Sequence, residues 1–501
     1  MKKQSEQNLF STDHLKTDIK KKSLKGGAVT LTSQGLTFII QMGAGMILAR
    51  ILTPHDYGLM AMVFAVTGLA AVLNNLGLST ATVQSAEINQ AQVSNLFWLN
   101  VGMGVIVMLV VAALAPALAW FYKAPALTGI TLALASTFLL SGLGTQHRAL
   151  LNRQMQFVTI AKIDISALAV GFIVAIILAY YGAGYWALVA NSIVSTSMNT
   201  LLTWFSVRWC PMLPQRETCV RTMLKFGADV AGFNVINYFA RNLDNVLIGR
   251  YCGGAELGLY NKAYQLLMMP ITNLREPMVR VAMPALSSLQ HDPEQYRSYY
   301  KKYIEILAIV SMPLIVLMYI YSDQIIYVLL GPQWLEASAL FKILAIAALI
   351  QPVGTSWGLV MLSTGNSRLY LRWGVVNSCI TCLSFFCGLP WGAKGVAISY
   401  AVVTYLLLYP SLFLGFRNTP VKMADFGKAI WRPLVASFIM GVVCYVLSSL
   451  VIFNMPSMLT LFISGILGIF AYLIVLYLIN YSNSSVYEYI RNLNNLFERG
   501  I

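Results

Sequence analysis

The sequence predicts an all-α polytopic membrane protein of about 14 transmembrane helices, arranged as two parallel six-helix repeats with a pseudo-twofold along the membrane normal, plus two C-terminal helices. Three observations carry this expectation. Of 501 residues, 58% are hydrophobic and 11% are charged, a balance that suits solvation by lipid. Apolar stretches of about 20 residues, the length an α-helix needs to cross the hydrocarbon, recur along most of the chain. The two halves also share residues at an offset of 200 that grows to 210 later in the chain. The alternating ten-residue segments of a membrane β-barrel are not seen.

In order, residues 1–25 form a basic cytoplasmic tail with seven lysines, among them Lys2, Lys16 and Lys25, and no apolar core. The first apolar stretch shows no small-residue cleavage pattern and runs into Arg50, so it reads as a retained helix and not as a signal peptide. Spans follow at 26–49, 58–79, 93–121, 126–146, 161–181 and 185–206, which make an N-terminal six-helix lobe over 26–224. The C-terminal lobe, 225–430, holds spans at 225–249, 257–285, 303–322, 338–363, 371–390 and 395–415. Spans 13 and 14 lie at 431–452 and 458–480, within 431–480, and residues 481–501 form a second cytoplasmic tail.

The charges agree with that order. The segments expected in the cytoplasm hold 25 of the 34 Lys and Arg residues, and the expected periplasmic ends hold five: Arg50, Lys123, Arg250, Lys342 and Lys394. Positively charged connections mark the cytoplasmic side, so both termini are expected inside a bacterial inner membrane. The net charge of +15 then reflects topology and contact with anionic membrane lipids, not nucleic-acid binding.

The repeat is visible in pairs. Leu24-Lys25-x-Gly27 recurs as Leu224-Lys225-x-Gly227, and Arg50 with Asp56-x-Gly58-Leu59 recurs as Arg250 with Glu256-x-Gly258-Leu259. Gly182-Ala183 with Ala187 recurs as Gly392-Ala393 with Ala397. Six spans separate equivalent positions, an even number, so both copies enter the membrane in the same direction. Substrate is then expected between the two bundles.

Polar residues share faces on three spans. Thr30, Gln34, Thr37 and Gln41 form a stripe on span 1, and its equivalent on span 7 reads Val230, Asn234, Asn237 and Arg241, extended by Asp244 and Asn245. On span 8, Lys262, Gln265, Asn273, Glu276 and Arg280 fall within an arc of about 80°. Such stripes are costly at membrane depth unless they face protein or water. The candidate binding residues are therefore Arg241, Lys262, Arg280, Arg275, Gln34, Gln41, Asn234, Asn237, Gln265 and Asn273. A cationic wall suits an anionic passenger, because guanidinium presents paired donors to phosphate oxygens. Asp229, Asp244 and Glu276 are candidates for coupling to a proton or sodium gradient. The competing reading is that Arg241 neutralises Asp244 and Arg280 neutralises Glu276, at helical pairing distance. Asp164, beside Lys162, reads as interfacial.

No P-loop, paired-acid DxD or histidine cluster points to an enzyme, and no cofactor is expected. Seven cysteines show no framework, and Cys379 with Cys382 reads as packing within a span.

The run Ala49-Arg50-Ile51-Leu52-Thr53-Pro54-His55-Asp56-Tyr57-Gly58-Leu59, with Leu76-Gly77-Leu78-Ser79-Thr80-Ala81, Arg148-Ala149-Leu150-Leu151-Asn152-Arg153 and Pro284-Ala285-Leu286-Ser287, resembles the polysaccharide transporter branch of the multidrug/oligosaccharidyl-lipid/polysaccharide exporter superfamily. It is most similar to the lipopolysaccharide and colanic-acid exporter type. The resemblance implies alternating access and a cargo of undecaprenyl-pyrophosphate carrying an oligosaccharide repeat unit, with polysaccharide polymerase machinery as a downstream partner. It also implies a cationic cavity for pyrophosphate or acidic sugars. Two other readings stand beside it: a cation-coupled multidrug exporter of the same superfamily, and a membrane glycan polymerase or ligase.

Overall fold

The structure is a computed structural model, and it describes residues 19–74, 79, 82–83, 88–214, 238–239, 241–451 and 457–481. All regular elements among them are helices. The chain falls into two compact units, Met1–Gly258 and Leu259–Ile501.

The first unit holds α1 (Ile19–Ile51), α2 (Pro54–Asn74), α3 (Gln90–Tyr122), α4 (Ala126–Arg153), α5 (Phe157–Tyr180), α6 (Tyr185–Val207), α7 (241–251) and the start of α8 (Gly254–Ser288). A capping box opens α3: the Asn89 side chain accepts the Gln92 N–H at 2.8 Å, and the Gln92 side chain accepts the Asn89 N–H at 3.1 Å. In lipid there is little hydrophobic drive between helices, so close backbone approach through small residues does the packing. A β-carbon on Gly104 would sit 2.7 Å from the Phe138 carbonyl oxygen, and one on Gly142 would sit 2.8 Å from that of Asn100, which holds α3 tightly on α4. The α6 side chains then donate to α4 carbonyls: Thr200 to Leu140 and Trp204 to Leu143, each at 2.8 Å.

One contact in the first unit bears on the repeat. A β-carbon on Gly58 would overlap the Gly254 carbonyl, and one on Gly258 would overlap the Pro54 carbonyl. Pro54 and Gly254, like Gly58 and Gly258, are equivalent positions at the offset of 200, so the two contacts are reciprocal, as a local twofold requires.

The second unit holds the rest of α8, α9 (Pro293–Ile320), α10 (Ser322–Leu329), α11 (Ala337–Gly354), α12 (Ser356–Ser363), α13 (Ser367–Gly388), α14 (Gly392–Phe416), α15 (Met423–Val451) and α16 (Ser457–Tyr481). Its core runs along α9, where Tyr296, Tyr300, Ile304, Leu307 and Met312 are buried. Two buried tyrosines bond the α12 hydroxyls, Tyr296 with Ser363 at 2.7 Å and Tyr300 with Ser356 at 2.9 Å. The last two helices dock on the same element, with the Tyr472 hydroxyl of α16 donating to the Ile309 carbonyl at 2.9 Å.

Every expected span coincides at least in part with helix, and eight stretches among the described residues are long and apolar enough to cross a membrane. Two details differ from expectation. The span expected at 338–363 is broken at Thr355, after Pro352 has removed a backbone donor; the Thr355 hydroxyl bonds back to Gln351 and Pro352 carbonyls. The connection expected after 322 contains the short helix α10.

Candidate functional site

Helix α8 sets the polar face of the second unit. Ala263, Leu267, Ile271, Ala282 and Leu286 are buried along one side of it. Lys262 is half-buried, while Gln265, Asn273, Glu276 and Arg280 are exposed on another side. The sequence spacing thus places four of the five expected residues on an uncovered surface. Arg275 departs from the group: it lies about 140° around the helix from Arg280, and its Nε is sealed from the surface with no hydrogen-bond partner. Glu276 turns toward Arg275, at 4.0 Å, and not toward Arg280 as i, i+4 pairing would have it.

In the first unit, Gln34 and Gln41 are exposed on α1, and the Thr30 hydroxyl of the same stripe bonds back to the Gly26 carbonyl at 2.8 Å. On α7, Arg241 is exposed and Asp244 is buried, with its Oδ1 accepting the Asn245 N–H at 2.7 Å. Asp229, Asn234 and Asn237 lie outside the described residues.

Three charged clusters escaped the sequence reading. Arg148 of α4 forms a two-pronged pair with Asp164 of α5, at 2.6 and 2.7 Å, and Asn199 of α6 adds a third donor at 2.9 Å. Asp164 is therefore a three-helix tie and not a simple interfacial acid. In the second unit, buried Asp425 at the start of α15 receives Arg297 Nη2 at 2.7 Å, the Lys422 backbone N–H at 2.9 Å and Lys301 at 3.4 Å. On α10, Asp323 pairs with Lys342 at 2.7 Å and accepts the Ser338 hydroxyl. Partial burial raises the Asp323 carboxyl, but the bonds from Lys342 and Ser338 and the Lys342 charge outweigh it and hold the group below its usual range. The side-chain partners are 15 to 128 residues apart, beyond the reach of helical periodicity. Their acids are saturated by cations, which suits holding helices together.

Among the described residues no group of three or more His, Cys, Asp or Glu could hold a metal ion.

Comparison with known proteins adds to this geometry. A family profile described as polysaccharide biosynthesis protein matches residues 47–339. The chain is 27% identical over 462 residues to the teichuronic acid biosynthesis protein TuaB of Bacillus subtilis (strain 168), covering 91% of this chain and 96% of that protein. It is 25% identical over 422 residues to the lipopolysaccharide biosynthesis protein WzxC of Escherichia coli (strain K12), covering 81% and 85%. Among solved structures, the lipid II flippase MurJ in an inward closed conformation superposes with a TM-score of 0.71 at 14% identity, over 92% of this chain and 99% of that one. An inward-facing multidrug resistance MATE family transporter of the MOP superfamily gives 0.60 at 13% identity, over 78% and 96%. At these identities the structural likeness establishes the fold, a multi-pass transporter fold common to MurJ and MATE proteins.

Proposed function

The chain belongs to the polysaccharide biosynthesis protein family, and from that membership we propose that it flips a lipid-linked oligosaccharide across the bacterial inner membrane for surface polysaccharide assembly. Family and fold set it with transporters and apart from enzymes. The cargo is an undecaprenyl-pyrophosphate-linked repeat unit of an exopolysaccharide, a colanic-acid-like polymer or a lipopolysaccharide O-unit, carried by alternating access and delivered to polysaccharide polymerase machinery.

The exposed polar face of α8 carries this reading. Gln265, Asn273, Glu276 and Arg280, with half-buried Lys262, would each be costly against hydrocarbon, so the face is one that meets water and a polar headgroup. In the second unit, Lys262 and Arg280 suit the pyrophosphate; in the first unit, the cation Arg241 of α7 and the amides Gln34 and Gln41 of α1 are candidate contacts for the cargo. Coupling to a proton or sodium gradient would run through Asp229, Asp244 or Glu276. The lysine-rich tail and the excess of Lys and Arg on alternate connections support cytoplasmic termini.

A multidrug exporter is the second reading, favoured by the MATE-like fold. The balance of charge opposes it: among the membrane-embedded candidates the cations Arg241, Lys262, Arg275 and Arg280 outnumber the acids Asp229, Asp244 and Glu276, whereas organic cations call for acidic walls.

Deleting the gene and locating the lipid-linked repeat units tests the proposal. Accumulation on the cytoplasmic face is expected. Accumulation on the periplasmic face would point to a polymerase, and an unchanged lipid pool with altered drug sensitivity would point to a multidrug exporter.

A further inference from the structure

Helix α8 contains three prolines seven residues apart, Pro270, Pro277 and Pro284, and it stays helical through all of them. Proline has no N–H, so the carbonyl four residues earlier loses its helical donor. The carbonyls so freed belong to Leu266, Asn273 and Arg280, which are also seven apart. Together the six positions 266, 270, 273, 277, 280 and 284 alternate in steps of four and three, which places them in one stripe along the helix. Consecutive free carbonyls are about 10 Å apart.

The stripe is uncovered. Asn273, Pro277, Arg280 and Pro284 are exposed, and Leu266 and Pro270 are half-buried. No hydroxyl stands three or four residues after any of these carbonyls, the reach of a helical Ser or Thr; the α8 hydroxyls bond other carbonyls, Thr272 those of Met268 and Met269, Ser287 that of Met283 and Ser288 that of Ala285. A bare carbonyl facing lipid costs several kcal/mol, so three in a row require a wet or ligand-bearing surface. Side-chain cations alone would serve a phosphate, but a row of neutral acceptors has no use for an anion. It matches a ligand rich in O–H donors.

We propose that the free carbonyls of Leu266, Asn273 and Arg280 form a row of acceptors for the hydroxyl groups of the transported glycan. This rests on the flippase reading and assigns the sugar portion of the cargo to α8 backbone, while Lys262 and Arg280 side chains take the charged portion.

Binding to the full-length protein in nanodiscs tests it with two probes: the lipid-linked oligosaccharide isolated from cells lacking the protein, and unglycosylated undecaprenyl pyrophosphate. Pro277→Ala restores an N–H that occupies the Asn273 carbonyl. The glycan-bearing lipid should then bind roughly three- to ten-fold more weakly, the value of one hydrogen bond, with the unglycosylated lipid unchanged. Placing lactic acid, an α-hydroxy acid, at position 277 brings neither N–H nor ring and should keep wild-type binding of both. Should Pro277→Ala not fold, Pro284→Ala makes the same comparison at the Arg280 carbonyl. Equal weakening of both lipids, no weakening of either, or a lactic acid variant that behaves like alanine would overturn the acceptor row while leaving the flippase reading in place. A wild-type protein that binds neither lipid would overturn both.

Discussion

Gly58 lies so close to Gly254 that a β-carbon on it would overlap the Gly254 carbonyl, and the equivalent residue Gly258 stands in the same relation to Pro54. Backbone meets backbone here, with no flexible side chain to give way. Gly58→Ala should therefore destabilise the protein by roughly 1 to 3 kcal/mol, the usual range for overpacking. Gly27→Ala, which meets nothing within 4 Å, should be neutral or slightly stabilising. Thermal unfolding of the two purified variants in detergent makes the comparison.

On the proposed function, the cationic candidates act on cargo and not on folding. Lys262→Ala and Arg241→Ala should each reduce polysaccharide output by about ten-fold, the value of one charge-assisted hydrogen bond, with membrane insertion intact. Normal output from both would remove them from the site. Arg280→Lys should be milder than Arg280→Glu, since it keeps the charge and loses only the fork.

The Asp425 carboxylate, 1% exposed, is surrounded by Arg297, Lys301 and the Lys422 N–H. Replacing it by alanine leaves two cations gathered around an apolar side chain, and should cost about 3 kcal/mol. Lys301→Ala, which removes the longer contact, should cost clearly less. Unfolding of the two variants side by side reads out the difference.

Acid should loosen the tie between α10 and α11. Lys342 and Ser338 hold the Asp323 carboxyl below its usual range, so the folded state binds that proton less readily than the unfolded one. The stabilisation is complete above the ordinary aspartate value and fades as pH falls below it, through the lowered value. Asp323→Asn should remove that acidic arm of the stability profile and lower stability at neutral pH. An unchanged acid profile in the variant would contradict the pairing.

Helices and their polar faces were legible in the sequence because lipid imposes both. A span needs about 20 apolar residues, and a polar side chain inside one is conspicuous. The uncovered face of Gln265, Asn273, Glu276 and Arg280 follows from spacing alone. The departure of Arg275 from that face did not, since a list of cations ignores helical angle, and neither did the pairing of Glu276 with it. Arg148 with Asp164, and Arg297 with Asp425, join different helices, and no periodicity relates such partners. The break at Thr355 had a signal in Pro352 and Gly354, which the apolar run around them masked. Asp229, Asn234 and Asn237 lie outside the described residues.

Transbilayer movement in a reconstituted system tests the central claim most directly. Vesicles containing the purified protein and the lipid-linked oligosaccharide from a deletion strain should move the lipid between leaflets, whereas Lys262→Ala vesicles should do so about ten times more slowly. Lipid that stays in its original leaflet with the wild-type protein, under an imposed proton or sodium gradient as well as without one, would contradict the account.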